Sequence, residues 1–343
     1  MGFPDDKPIV SLCLAAFAGA DRAAANLSLN TGLLRHLSLV SADPLGPEIE
    51  FTIAYLRERR PVLVIFNGWS AVYARVLAAL RRQATAFAVL WHSGPGQTDL
   101  AGEWPALAAI VGERRIAHLF IASESLYATL APRLRNARHL PNTLARAEWD
   151  APKRQLRRPR GTQITLFAQP AESARKSVTS CLLALGTLRR RCRLHLNGLS
   201  LEPRYRMLLD LLRLRYRDWG WMPPQQYDAV VRRASLGLQV SFAETYGYVV
   251  AEHLARGVPV VGSAAVPVLA RLSPAVRRRL IVTNPDDPAE IGAKIRFLLD
   301  HPRVAAAIAA RAQAESLSWN RRDIAKATAT LTQCLAHRGE RTS

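Results

Sequence analysis

The alternation of short apolar runs with amphipathic segments constrains the fold of this chain more than any other feature of the sequence. In the first half, apolar runs occupy residues 8–17, 61–66, 86–91 and 118–122, and each leads into a polar or glycine-containing loop. An apolar run without polar alternation is typical of a strand that is buried on both faces. Strands that alternate with helices specify a parallel sheet covered by helices. The sequence therefore predicts an α/β fold, with ligands bound at the carboxyl ends of the strands.

The alternation breaks once, near the middle of the chain. The segment 145–161, ARAEWDAPKRQLRRPRG, has two prolines, little apolar periodicity and five basic residues within eight positions. Beyond it, strand-like runs return at 162–167, 193–196, 236–240 and 259–262, and helical patterns at 178–190, 204–215, 224–234 and 248–256. A chain of 343 residues has room for two domains at roughly 150 residues each. The predicted division is a first domain at 1–150, a basic linker at 151–160, a second domain at 161–318 and a C-terminal segment at 319–343.

The charge of the chain is strongly unbalanced. It has 47 Lys and Arg against 27 Asp and Glu, a formal net charge of +20, and residues 151–343 account for +18 of it. Basic clusters lie at 153–160, 189–193, 213–217 and 277–279. Such an excess indicates either an anionic partner or an arginine-rich surface that reflects the base composition of the genome.

Cysteine usage and hydropathy indicate the compartment. The four cysteines have no C-x-x-C spacing, which excludes a recognisable zinc motif or disulfide framework. The sequence has no run of 18 apolar residues, and its first residues are acidic where a secretory signal would be basic. We therefore expect a cytoplasmic protein, with attachment peripheral to the membrane left open.

The stretch 240–263, VSFAETYGYVVAEHLARGVPVVGS, contains the most informative pattern of polar residues. A predicted strand ends at its first residue, a loop with Glu244 and Gly247 follows, and the next predicted helix carries Glu252. Gly247 lets the backbone approach a ligand closely. The amides from Tyr246 and Gly247 onward are expected at the positive end of the helix dipole, so they suit a diphosphate or sugar hydroxyls.

This stretch resembles the retaining glycosyltransferases of the GT-B fold, specifically the family 4 type with its E-x7-E motif. The resemblance rests on Glu244 and Glu252, on Gly247 between them and on RGVPVVGS after them. It implies two Rossmann-like domains facing each other across a cleft, and a nucleotide-sugar donor. It also implies that Glu244 contacts hydroxyls of the donor sugar as a catalytic residue and that Glu252 holds the ribose. The alternative is that Glu244 caps the helix and Glu252 lies on a solvated face.

The resemblance extends to both ends of the chain. HLPNTLA at 139–145 is similar to the end of the family's first domain, and SLSWNRRDIA at 316–325 to its last helix, which crosses back to that domain. After the strand at 162–167, family members have Gly-Arg and then Lys, which grip the donor diphosphate. Here Ala168 and Gln169 replace the Gly-Arg pair, whereas Lys176 matches the Lys. We expect Lys176 and Arg175 to bind the diphosphate; the alternative is that both are solvated residues at a helix start.

Candidate residues of the first domain follow its predicted strands. His92 precedes Ser-Gly-Pro-Gly, where similar enzymes place a His beside the donor sugar, although a structural His is equally consistent with the sequence. Gly19 and Arg22 follow the first strand, in the loop that contacts donor phosphate and acceptor in this family. Asn67 and Gly68 end another strand and are expected to line the same cleft, or to form a plain turn.

The sequence also bears on mechanism. It has no D-x-D triplet, the metal-binding device of the other large glycosyltransferase architecture. We therefore expect a metal-independent transferase with no cofactor beyond its co-substrate, a UDP- or GDP-sugar. The resemblance implies retention of anomeric configuration by front-face attack, with Lys176, nearby Arg and helix amides offsetting the charge of the leaving diphosphate.

Three interpretations of the acceptor and the activity remain open. The first is transfer to a glycan or a lipid-linked glycan, with an anionic membrane surface as a further partner. The second keeps the donor chemistry but takes a modified base of DNA as acceptor, for which the basic clusters would contact phosphates and Tyr216, Trp219 and Trp221 would stack on bases. The third is a catalytically silent GT-B protein that binds a polyanion.

Overall fold

The computed structural model describes residues 8–150, 161–188 and 191–339, and the chain divides into two compact units. The first unit comprises the residues up to Ala145 together with those from Asn320 onward, and the second runs from Arg146 to Trp319. The predicted linker 151–160, and with it the first basic cluster, lies outside the described residues. So do residues 189 and 190 of the second cluster.

The first unit contains a six-stranded parallel sheet in the order β2-β1-β3-β4-β5-β6. Its strands are Ile9–Leu14 (β1), Leu34–Leu39 (β2), Leu63–Asn67 (β3), Ala86–Trp91 (β4), Ile116–Ile121 (β5) and Ala137–His139 (β6). Its helices up to Ala145 are Ala18–Thr31 (α1), Pro47–Arg59 (α2), Ala71–Ala79 (α3), Pro95–Leu100 (α4), Trp104–Gly112 (α5) and Glu124–Leu130 (α6).

The second unit contains another six-stranded parallel sheet, in the order β12-β11-β10-β7-β8-β9. Its strands are Thr162–Leu166 (β7), Cys192–Leu196 (β8), Arg215–Asp218 (β9), Leu236–Gln239 (β10), Val260–Ser263 (β11) and Ile281–Val282 (β12). Its helices are Arg146–Asp150 (α7), Val178–Gly186 (α8), Pro203–Leu211 (α9), Pro224–Arg233 (α10), Tyr248–Ala255 (α11), Pro267–Ala270 (α12), Pro274–Leu280 (α13) and Pro288–Asp300 (α14). The last helix, Pro302–Gly339 (α15), begins in this unit and ends in the first.

Both faces of the first sheet are buried. Successive strand residues point to opposite faces, so Val10 packs in one core, with Phe66 and Tyr73, while its neighbour Ile9 packs in the other. That second core includes Ala327 and Leu331 of α15. The C-terminal half of α15 is therefore part of the first unit's core.

Asn320 fixes the point at which α15 enters the first unit. Its side chain accepts a hydrogen bond from the amide of Leu144 at 2.8 Å and donates one to the carbonyl of Leu144 at 3.0 Å. Asn30 of α1 also donates to that carbonyl, at 3.0 Å. The chain leaves the first unit after Ala145 and returns to it at Asn320. The buried side chain of Asn320 therefore links these two points of the first unit.

The predicted α/β class and the two parallel sheets are confirmed. Four strands have no counterpart among the predicted runs: β2, β6, β9 and β12. The helix expected over 204–215 is wrong at its end, because α9 stops at Leu211 and Arg215–Asp218 pairs with β8 as a strand. None of the described helices, α15 included, is both long enough and apolar enough to cross a membrane.

Candidate functional site

The loop between β10 and α11 has a backbone that only glycine adopts easily. Gly247 precedes the first residue of α11 with φ of +93°, in the left-handed region. A Cβ at this position would lie 2.4 Å from Cγ1 of Val266, which leads into α12. Gly247 therefore lets the loop turn tightly into α11 while α12 packs against it.

Glu244 lies in this loop, and its carboxylate is held in place from three sides. It accepts hydrogen bonds from Gln239 at 2.9 Å and Ser241 at 3.2 Å, and it forms an ion pair with Arg175 at 2.7 Å. The Glu244 side chain is 10% exposed. Glu244 lies three residues before Gly247, the N-cap of α11. Its oxygen atoms face the segment that follows β7.

Arg175 and Lys176 lie in that segment, just before α8, and share one carboxylate. Glu172 accepts from Arg175 at 2.5 Å and from Lys176 at 2.9 Å. Burial opposes ionisation of Glu172, but the two cations outweigh it, so the pKa of Glu172 lies below its ordinary value. The interpretation of both cations as solvated surface residues is wrong, because their side chains are only 13% and 11% exposed.

Glu252 lies on the buried face of α11, which contradicts a place on a solvated face. The residue is 2% exposed, and Tyr227 of α10 donates a hydrogen bond to its Oε2 at 2.5 Å. The Tyr227 ring packs on Phe167, which follows β7, with centroids 5.1 Å apart. Glu252 is thus a buried carboxylate beside an aromatic wall.

Tyr246 packs against the start of the same helix. Its ring centroid lies 4.7 Å from that of Tyr248, and its carbonyl accepts from the amide of Val268 at 3.3 Å. The predicted residues of the second unit therefore gather at the carboxyl ends of β7 and β10. There, two cations, a carboxylate and the first amides of α11 can bind a ligand that has both phosphates and hydroxyls.

In the first unit, His92 belongs to a chain of hydrogen bonds. Its Nε2 lies 3.0 Å from Oδ1 of Asn67, and its Nδ1 lies 3.3 Å from Oδ1 of Asn142. Asn67 is fully buried and uses its NH2 group to donate to Ser11 and to the carbonyl of Leu12. Its Oδ1 is therefore the acceptor, and Nε2 of His92 is the donor.

The protonation state of His92 follows from its surroundings. Burial lowers its pKa to about 4, against the hydrogen bond that a protonated Nδ1 would donate to Oδ1 of Asn142, and the charge of His36 lowers it further. The ring is neutral at pH 7, with its hydrogen on Nε2. His92 can thus position a ligand but holds no proton to give as an imidazolium.

The remaining candidates of the first unit have weaker support. Gly68 follows β3 with φ of +87°, and a Cβ there would contact only the ring of Phe17, at 3.9 Å. Gly19 and Arg22 were predicted in a loop, but both are exposed residues within α1, because that helix begins at Ala18. The sheet brings Asn67, Gly68 and His92 together at the ends of neighbouring strands β3 and β4.

His253 is a buried residue of the second unit that the sequence did not single out. Its Nδ1 donates to the carbonyl of Val249 at 2.6 Å, so Nε2 accepts from Thr165 at 2.7 Å. Burial lowers the pKa of His253 to about 4, and the nearby Arg256 charge acts in the same direction. Only the absence of a side chain at Gly237, where a Cβ would lie 2.7 Å from the His253 ring, leaves room for it.

The aromatic residues near β9 differ in their exposure. Trp219 donates to Nδ1 of His195 at 2.9 Å, stacks on its ring and is covered by the guanidinium of Arg217 at 3.5 Å. Trp221 is 78% exposed. Trp219 is therefore held by contacts within the unit, whereas Trp221 is free of such burial, and stacking of these aromatics on bases stays a prediction.

The comparisons with known proteins agree with this architecture. Two parallel α/β units of this kind define the GT-B fold of glycosyltransferases. Residues 162–301 match the family model described as "Glycosyl transferases group 1", which spans most of the second unit. A search of curated proteins found no match.

Solved structures match nearly the whole chain. HepE of Anabaena, in complex with UDP and glucose, is 15% identical with a TM-score of 0.67, over 96% of this chain and 99% of that one. Sucrose-phosphate synthase of Thermosynechococcus elongatus is 15% identical with a TM-score of 0.71, over the same shares. TarM of S. aureus, in complex with UDP and α-GlcNAc-glycerol, is 11% identical with a TM-score of 0.63, over 81% and 58%. At these identities, the matches establish the GT-B fold.

Proposed function

We propose that this protein is a retaining, metal-independent glycosyltransferase that moves a sugar from a UDP-sugar to a glycan or lipid-linked glycan. The observation that supports this most directly is the ion pair between Arg175 and Glu244, with Lys176 beside it. It joins a group suited to phosphates with a group suited to sugar hydroxyls. UDP is favoured over GDP because HepE binds UDP and UDP-glucose within the same fold.

In this proposal each candidate residue of the second unit has a role in donor binding. Lys176 and Arg175 bind the diphosphate, and the amides of Tyr246 and Gly247, just before α11, add uncharged donors. Glu252 accepts hydrogen bonds from the ribose, for which Tyr227 fixes its orientation. Glu244 accepts hydrogen bonds from hydroxyls of the transferred sugar.

The proposed reaction breaks the bond between the anomeric carbon and the β-phosphate oxygen. The acceptor hydroxyl attacks from the face that the leaving group vacates, so the configuration is retained, and the departing phosphate oxygen takes the hydroxyl proton. Lys176 and Arg175 stabilise the negative charge that develops on the leaving UDP. In the first unit, His92 stays neutral at pH 7 because burial lowers its pKa to about 4, and Asn67 accepts the hydrogen of its Nε2.

The choice of acceptor rests on two observations. TarM, which has the same fold, was crystallised with α-GlcNAc-glycerol, a glycosylated polyol. In addition, Trp219 is already in contact with His195 and Arg217 of its own unit, which weakens the DNA alternative. A mobility-shift assay with duplex DNA at several salt concentrations tests that alternative, since phosphate contacts predict steep loss of binding with salt.

The variant Glu244→Gln tests the proposed chemistry. It keeps the shape of the side chain but removes the charge, so we expect kcat/KM for UDP-glucose hydrolysis or transfer to fall about 100-fold, roughly 3 kcal/mol of transition-state stabilisation. The affinity for UDP should change by less than about threefold, since Glu244 has no proposed contact with the nucleotide. The control is Glu315→Gln, which removes a carboxylate from an ion pair on α15.

Three outcomes separate the alternatives. Full activity of Glu244→Gln contradicts the proposed role. If the wild type is inactive, and the wild type and Glu244→Gln bind a polyanion equally well, the protein is the catalytically silent one. A rate that is lost in EDTA and restored by Mg²⁺ contradicts metal independence.

A further inference from the structure

An open cavity of about 640 Å³ lies at the outer edge of the second sheet. Ala264 follows β11 and Thr283 follows the edge strand β12, while α13 and α14 supply basic residues around the opening. β12 is two strands away from β10 in the sheet, which corresponds to roughly 10 Å. The cavity is therefore separate from the loop that bears Glu244. Its lining residues are Ala264, Pro274, Arg277, Arg278, Arg279, Ile281, Thr283 and Lys294.

The four cations of this cavity have no counter-charge in the described part of the chain. No ion pair there includes Arg277, Arg278, Arg279 or Lys294, whereas Arg175 and Arg256 each pair with two carboxylates. The carboxylate of Glu290, close by in α14, already accepts from the backbone amides of residues 283 and 284 at 2.8 and 3.0 Å. Four positive charges around one opening raise its affinity for anions.

Capping of α13 does not require the guanidinium groups. The amide of Ile281 donates to the carbonyl of Arg277, and Lys294 donates to the carbonyl of Arg278 at 2.5 Å. Arg279 instead lies over the ring of Phe297, 4.5 Å from its centroid, which holds its position. Arg278 forms no side-chain hydrogen bond with any residue that the structure describes. Arg277 donates to the carbonyl of Ala270 at 3.4 Å, so the guanidinium groups of Arg278 and Arg279 are the polar groups that remain for a ligand.

We propose that this cavity is a second anion site of the protein, one that binds the phosphate groups of an organic phosphate. Guanidinium groups bind phosphate in a bidentate manner. The volume lies within the range of roughly 300–1,000 Å³ of small-molecule sites, which is larger than one phosphate needs. Pro274 and Ile281 provide an apolar wall beside the cations, so the ligand carries an organic group as well as phosphate.

Titration with inorganic pyrophosphate tests the site. The wild type and the double variant Arg278→Gln/Arg279→Gln are compared by calorimetry at about 0.15 M salt. Both carry Lys176→Gln, as does the control, so that any phosphate binding that Arg175 retains near Glu244 is the same in all of them. The matched control is Arg215→Gln/Arg303→Gln, which removes the same charge from exposed positions of the same unit. We expect the Kd for pyrophosphate to rise at least tenfold in the first variant and less than twofold in the control.

The source of the phosphate is distinguished with vesicles. The ligand is a lipid headgroup if the wild type binds vesicles of phosphatidylglycerol but not of phosphatidylcholine, and if the double variant does not bind the phosphatidylglycerol vesicles. If pyrophosphate binds and neither vesicle does, the ligand is a soluble organic phosphate. The single variant Arg278→Gln, which removes no contact within the protein, should weaken pyrophosphate binding about threefold.

Two results would overturn the proposal. One is an equal loss of pyrophosphate binding in the double variant and its control, because net charge alone would then explain it. The other is a lower Tm of the double variant with unchanged pyrophosphate affinity, because the arginines would then serve only the stability of α13. Neither result depends on whether the protein transfers a sugar.

Discussion

Glu172 forms ion pairs with both cations that are proposed to bind the donor. Its carboxylate pairs with Arg175 and with Lys176, and burial of those two side chains favours a bound anion. A donor diphosphate must displace Glu172 or share the cations with it. Family resemblance did not point to Glu172; the only signal in the sequence is its spacing of three and four residues from the two cations, which is the spacing of side-chain pairs on one face of a helical turn.

We expect Glu172→Gln to bind UDP about threefold or more tightly, because the competing carboxylate loses its charge while its shape is kept. Calorimetric titration with UDP measures this. Glu113→Gln, which removes a carboxylate from Arg115 in the first unit, is the control and should leave UDP affinity unchanged. Weaker binding in Glu172→Gln would mean that Glu172 positions the cations and does not compete with the phosphates.

His253 makes the stability of the second unit depend on pH. Its folded-state pKa is about 4, against an ordinary value of 6.5. Between these values the unfolded chain binds the proton and the folded protein does not, so acid favours unfolding. The contribution of His253 is complete above pH 6.5 and is lost as the pH falls toward 4.

The variant His253→Gln should therefore lose less stability than the wild type on acidification. Between pH 7 and pH 5, we expect its free energy of unfolding to fall by about 2 kcal/mol less than that of the wild type. Urea denaturation at the two pH values measures the difference. His301→Gln, at an exposed position, should follow the wild type. Identical pH dependence in all three proteins would contradict the assignment.

At the scale of elements, the turn at Gly247 combines two requirements that can be separated by mutation. Gly247→Ala places a side chain at a positive φ and also brings its Cβ against Val266. Gly257→Ala places a side chain at a φ of +70° but has no atom within 4 Å of the new Cβ. We expect Gly257→Ala to destabilise the protein by about 1 kcal/mol and Gly247→Ala by about 1–3 kcal/mol more. Thermal unfolding measures both.

A second change tests the cause of that difference. Gly247→Ala/Val266→Ala removes the methyl group that the new Cβ meets at 2.4 Å, so it should recover part of the contact cost but not the backbone cost. If the double variant is no more stable than expected from the sum of its two single changes, the contact with Val266 is not the source of the strain.

The sequence predicted those elements whose apolar pattern is strong. The helix expected from Tyr248 to Arg256 is observed at Tyr248–Ala255, and the runs at 86–91 and 162–167 became β4 and β7. β9 was missed because Arg215–Asp218 is polar and exposed on alternate residues, so only its pairing with β8 makes it a strand. β12 was missed because two residues give no periodicity.

The same limit applies to the candidate site. The spacing of Glu244 and Glu252 indicated a loop and a helix, and these are observed, but a sequence has no distances between loops. Arg175 and Glu244 are 69 positions apart in the chain, and Tyr227 and Glu252 are 25 apart. These pairs depend on how the strands and helices are arranged in the folded unit, which a sequence pattern does not show. Whether these residues bind a donor remains a prediction.

At the scale of the whole molecule, Asn320 joins the two passages of the chain between the units. Asn320→Ala should leave the buried amide and carbonyl of Leu144 without this partner, and we expect a loss of about 2–3 kcal/mol in the free energy of unfolding. Urea denaturation followed by fluorescence measures it. Asn320→Asp keeps the acceptor for the Leu144 amide, so it should lose less of the hydrogen-bond contribution to the free energy of unfolding than Asn320→Ala. It also places a charge in a buried position, which lowers that free energy. A change below about 0.5 kcal/mol in Asn320→Ala would contradict the role given to Asn320.

The first unit is built from two separated parts of the chain, and this sets the order in which a ribosome can complete it. Ala327 and Leu331 fill a core whose other members, such as Ile9 and Ile65, are synthesised at the beginning. The second unit is continuous, so all its residues emerge before that core can close. During translation the first sheet must therefore wait for α15 with part of one apolar face uncovered, and exposed apolar surface of this kind makes a nascent chain prone to aggregation.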